Sequence, residues 1–124
     1  MEKHSLNQNN APMTLKNSLT KELVFNDTKP IITVLLTTTT SKEIRIVMKK
    51  DQSIKEHQAP YPITVEVFEG EIIFGVQGKK HQLQKGDIIA LEANIPHDLY
   101  SQKDTIIRLT LSKKDTEQRV KQML

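Results

Sequence analysis

Between residues 31 and 111 this 124-residue chain spreads its apolar side chains over eight short runs, at 31–39, 42–49, 62–69, 71–77, 80–84, 87–91, 97–101 and 105–111. Between the runs stand glycine, asparagine, aspartate and proline. Runs of this kind read as β-strands, and many short strands separated by turn signals imply a sandwich or a barrel. The fold class is therefore all-β.

The breaks have physical causes. Glu69-Gly70 and Gln77-Gly78 place glycine where a tight hairpin needs a positive φ, and Gln84-Lys-Gly-Asp87 supplies another turn. In Asn26-Asp-Thr-Lys-Pro30, short polar side chains can bond the local backbone and the proline fixes φ. Within the runs, Ile72, Phe74 and Val76 alternate with Ile73, Gly75 and Gln77. Residues 31–36 are almost continuously apolar, the pattern of a strand buried on both faces.

Outside the β-body the chain changes character. Residues 1–13, with Asn7-Gln-Asn-Asn10 and Pro12, form a polar tail with little apolar surface to offset its ordering entropy. Residues 14–124 then read as one domain. Ser112-Lys-Lys-Asp115 has the outline of a capping box, and Val120, Met123 and Leu124 follow at helical spacing. A short helix is expected over about 113–124. Lys and Arg exceed Asp and Glu by only 18 to 15, scattered along the chain, which gives nucleic acid no basic patch to read. There is no cysteine for disulfide or thiolate chemistry. The first ten residues lack the apolar stretch of a signal peptide, and no apolar run approaches the length of a bilayer span. The expected setting is soluble and cytoplasmic, without membrane contact.

Two segments carry the chemistry. One runs from Asp51 through His57 to Gly70, the other from Gly86 to His97, with Pro96 just before the histidine. Their spacing resembles the two motifs of the cupin barrel over roughly residues 45–110. In that resemblance Gly70 is the closing glycine of the first motif and His57 its first histidine. Ala59 stands at the second histidine position, Ile63 at the glutamate position and Asp51 at the opening glycine. In the second motif Gly86 and His97 match, while Glu92 and Asn94 replace the internal proline and glycine. The resemblance implies a cupin-type double-stranded β-helix, or jelly-roll, barrel. It also implies that Ile63, Val65 and Val67 point inward, leaving Thr64, Glu66 and Phe68 outward.

Metal-dependent cupins hold their ion with three histidines and a carboxylate, and this chain retains only His57 and His97. A stably held transition metal generally has three or four protein ligands. No cofactor is therefore expected; iron, zinc, nickel or manganese at His57 and His97 is the alternative. The leading expectation is a barrel that binds a small molecule at His57 and His97, with Tyr61 and Arg108 as further ligand-binding candidates. Tyr61 precedes Pro62 near the barrel mouth, and the guanidinium of Arg108 lies in an apolar run where it needs a partner. Asp98, next to His97, points away by strand parity. Two other classes stay open: a divergent metal-dependent isomerase or dioxygenase using His57 and His97, and a structural dimer whose barrel is filled with side chains. A homodimer is expected, with 31–39 at or near its interface.

Overall fold

The computed structural model describes residues 14–115 and Val120. Nine strands follow one another: β1 (Ile31–Thr37), β2 (Ser41–Met48), β3 (Ser53–His57), β4 (Ile63–Glu69), β5 (Glu71–Val76), β6 (Lys79–Gln84), β7 (Ile88–Leu91), β8 (His97–Ser101) and β9 (Thr105–Ser112). Eight coincide with the expected runs. The ninth, β3, escapes the sequence pattern because Ile54 is its one aliphatic side chain, and pairing with β8 holds it in place.

The strands form two antiparallel sheets, in the orders β1-β2-β9-β4-β7 and β3-β8-β5-β6. Their inner faces enclose one core. Ile44, Ile46 and Met48 of β2, Ile63, Val65 and Val67 of β4, Ile72 and Phe74 of β5, and Ile107, Leu109 and Leu111 of β9 are all buried in it. This is the jelly-roll barrel, with β4 facing inward at the residues expected.

The turns form as their residues dictate. The Asn26 carboxamide oxygen accepts hydrogen bonds from the backbone N–H groups of Thr28 and Lys29, at 2.8 and 3.2 Å. Gln77 and Gly78 both have positive φ, at 51° and 77°, as a two-residue hairpin turn requires. Asp51 and Asn94 also have positive φ, 75° and 64°. The phenol of Tyr100 donates a hydrogen bond to the Asp51 carboxylate, which raises the Tyr100 pKa above its ordinary value.

Two expectations need correcting or confining. β1 is an edge strand, and only Ile32 on it is fully buried, the others being half-buried. Its apolar run is therefore not enclosed on both faces by the described residues. The C-terminal helix falls mostly outside the described residues, as does the tail 1–13. Val120 within it is helical and fully buried in the core. At its expected start, the Ser112 hydroxyl accepts from the Lys114 N–H at 3.2 Å, and the Asp115 N–H donates to the Ser112 carbonyl at 3.0 Å. These bonds form a turn at the expected start of the helix.

The outer face of the larger sheet has its own cover. Val47 and Ile106 lie opposite each other and are buried at 1% and 5% exposure, although strand parity turns them away from the core. The segment before β1 crosses this face and is tied down by side chains. Arg45 Nη1 donates to the carbonyls of Ser18, Leu19 and Lys21 at 3.4, 3.4 and 3.0 Å. Gln52 donates to the Asn26 carbonyl at 2.7 Å. Lys49 meets Asp27 at 2.7 Å, and that hydrogen bond lowers the Asp27 pKa. Arg45 is itself buried, and its Nε has no hydrogen-bond partner among the described residues.

Candidate functional site

β3 ends at His57 and β8 begins at His97, and pairing of the two strands sets these residues opposite each other. Both side chains face the interior. The imidazole rings stand 4.2 Å apart between centroids, inclined at 64°. His97 is buried, at 4% exposure, and lies nearly parallel to the Phe74 ring at 5.4 Å. His57 is half-buried and forms the more open side of the pair.

Each ring is oriented by its own strand. His57 Nδ1 lies 2.8 Å from the Lys55 carbonyl, and His97 Nδ1 lies 2.9 Å from the Ile95 carbonyl. A carbonyl only accepts, so both Nδ1 atoms carry hydrogen, and Nε2 bears the lone pair of the neutral ring. Locking Nδ1 to a backbone carbonyl is the arrangement that presents Nε2 in a fixed direction.

The cavity beside the pair is small and apolar. Its volume is about 20 Å³. Ala59, Ile63 and Val65 line it with the two histidines, and aliphatic side chains of β2, β3, β8 and β9 complete the wall. At its mouth the Asn94 N–H donates to the Ala59 carbonyl at 2.7 Å, joining the loop after β3 to the loop before β8.

The structure brings together His57 and His97 and leaves the other candidates apart. Tyr61 is half-buried just before β4 and does not line the cavity. Arg108 projects from the outer face of the larger sheet, away from the histidine pair. There its Nε lies 3.5 Å from Glu43 and 3.7 Å from Glu66, with the side chain 46% exposed. The reason is parity, since Ile107 and Leu109 on either side of it fill the core. Asp98 is exposed and faces outward, as expected. Phe74 was not foreseen at the site. Its alternation with Ile73 marks a buried face, but its stacking on His97 depends on the β5–β8 register, in which Phe74 pairs with Leu99 and Val76 with His97.

A resident transition metal does not fit this donor set. Ala59 and Ile63 occupy the wall where two more ligands would stand, and neither offers a lone pair. Among the described residues no group of three or more His, Cys, Asp or Glu side chains could share an ion.

Barrel, strand order and interior histidines define a small β-barrel of the jelly-roll class with a two-imidazole interior. The family model for the cupin domain matches residues 44–112, more than half of the chain, and the protein belongs to the cupin family. No curated protein matches its sequence. Among solved structures, an RmlC-like cupin from Desulfovibrio desulfuricans superposes with a TM-score of 0.74 at 17% identity, covering 82% of this chain and 98% of that one. A conserved protein of unknown function from Streptococcus pyogenes gives 0.69 at 21% identity, covering 87% and 95%. A double-stranded β-helix protein from Klebsiella pneumoniae gives 0.70 at 21% identity, covering 81% and 90%. At these identities the likeness is one of fold.

Proposed function

We propose that this cupin binds a small ligand at the His57–His97 pair and uses no resident transition metal. The observation that carries this reading is the preorganised pair: two imidazoles side by side, each with Nδ1 tied to its own backbone, against an otherwise apolar wall. Fixed polar groups in an apolar recess are the usual construction of a small-molecule site. The cavity limits the size of the occupant. Its roughly 20 Å³ is about the space one or two waters need, so only a few non-hydrogen atoms enter and any remainder extends outward past His57.

That same tightness favours a second reading, a filled barrel serving as a scaffold. Long-range ¹⁵N spectra of the histidine rings separate the two, with formate, acetamide and zinc chloride as probes. Binding predicts that the His57 and His97 ring signals shift together and saturably with formate or acetamide. Silence toward all three probes would leave the scaffold. A metal held one-to-one in tag-free protein, and lost in the H57A/H97A double variant, would instead support a metal-dependent isomerase or dioxygenase.

We further propose that two copies pair through the region of 31–39. β1 is an edge strand whose apolar side chains, Ile32 apart, remain half-exposed among the described residues, a surface that unpartnered proteins normally protect. Light scattering at micromolar concentration should give twice the chain mass; a monomer would count against the interface. No helix among the described residues is long and apolar enough to cross a membrane.

A further inference from the structure

The outer face of the four-stranded sheet carries a second concavity, behind the histidine pair. Its volume is about 390 Å³, and Glu56, Gly75, Lys79, Lys80 and Asp98 line it. Register fixes the layout, because Gly75 of β5 pairs with Asp98 of β8 on one side and with Lys80 of β6 on the other. Strands lie ~4.8 Å apart, which puts the Asp98 and Lys80 backbones roughly 10 Å apart across the glycine.

Gly75 does not serve a turn, since it sits within β5 and its φ is not positive. What it provides is room. A Cβ there would overlap Asp98 Oδ1 and lie 3.2 Å from the Asp98 Cγ. Glycine inside a strand marks a place where something approaches the backbone closely. Here the Asp98 carboxylate lies over it. Among the described residues no side-chain hydrogen bond or ion pair engages Glu56, Lys79, Lys80 or Asp98. The groove is thus lined by Glu56 and by Asp98, whose carboxylate covers the Gly75 floor, and on the neighbouring strand by Lys79 and Lys80.

We propose that this groove binds a small zwitterion. Its ammonium end sits on the Asp98 carboxylate above Gly75, with Glu56 beside it, and its anionic end reaches toward Lys80 and Lys79 on β6. Charge-assisted hydrogen bonds at both ends fix the orientation. With the Asp98 carboxylate over Gly75 and Lys80 on the adjacent strand ~4.8 Å beyond, the ligand's charges stand roughly 5 Å apart, the span of a γ-amino acid. The inference is independent of the histidine pair, which lies on the opposite face of the same strands.

Amide ¹H–¹⁵N spectra of the intact protein, titrated with γ-aminobutyrate, test it, with putrescine and butyrate as probes carrying one kind of charge. Saturable shifts are expected at residues 75–80 and 97–98, with γ-aminobutyrate binding about 5-fold more tightly than either other probe. D98N and K80Q, both at exposed positions, should each weaken binding about 5-fold with the spectrum otherwise native. No saturable shift at millimolar γ-aminobutyrate would overturn the proposal. So would putrescine or butyrate binding as tightly, which would show that only one end of the groove recognises anything.

Discussion

The A59H/I63E double variant is expected to bind nickel(II) or zinc(II) at one ion per chain, about 100-fold more tightly than the unaltered protein. Ala59 and Ile63 line the same cavity as His57 and His97, so the two substitutions add an imidazole and a carboxylate to a wall that already holds two oriented imidazoles. Metal-free, the variant should be destabilised by a few kcal/mol, because Ile63 is 5% exposed and a buried carboxylate without a partner is costly. Metal binds the folded state and should therefore raise the variant's melting temperature while leaving that of the unaltered protein in place. Isothermal titration and thermal melts with and without nickel(II) check both halves. A folded variant whose affinity stays within a few-fold of the parent would show that more than these two ligands separates this barrel from a metal centre.

Gly70→Ala should cost about 3 kcal/mol or more in urea unfolding, the sum of backbone strain and overpacking. Gly70 has φ of +100°, and a Cβ there would overlap Thr105 Oγ1 while lying 2.6 Å from the Asp104 carbonyl oxygen and 2.7 Å from Thr105 Cα. Two of those neighbours are backbone atoms, so a side-chain rotation cannot relieve the clash. The Thr105 hydroxyl is also committed. It accepts from the Glu71 N–H at 3.1 Å, and the buried Ser101 hydroxyl donates to it at 3.0 Å. Gly78→Ala is the internal control, because its φ of +77° carries strain but nothing lies within 4 Å of the added Cβ; it should cost about 1 kcal/mol. Equal losses in the two variants would mean that the contact with the β8–β9 turn contributes nothing.

Much of the barrel was legible because turn chemistry and strand alternation act locally. The positions where the motif appears broken are instructive. Asp51 and Asn94 stand where the resemblance places glycines, and both keep a positive φ, a conformation that Asp and Asn tolerate better than other side chains. The backbone path is retained through residues that a glycine count alone scores as departures. β3 was illegible for the opposite reason. With Ile54 alone buried on it, its strand character comes from pairing with β8 rather than from its own pattern. Arg108 shows the limit for sites: its sequence neighbours are core residues, and that is why the pleat turns it outward to Glu43 and Glu66. The histidine pair was locatable from spacing, but the Phe74 stack and the tightness of the cavity arise from register and packing between distant segments.

Glu56 and His57 are consecutive on β3, as are His97 and Asp98 on β8. The pleat of β8 sends His97 to the interior and Asp98 to the groove, and on β3 the bulge between Ile54 and His57 leaves His57 facing the interior while Glu56 lines the groove. Slipping β8 by a single residue, as a one-residue insertion between Pro96 and the rest of the strand would, carries Asp98 into the aliphatic interior and His97 out to solvent. Both recesses would then fail together, so the length of the loop entering β8 is under tighter constraint than the identity of most residues in it.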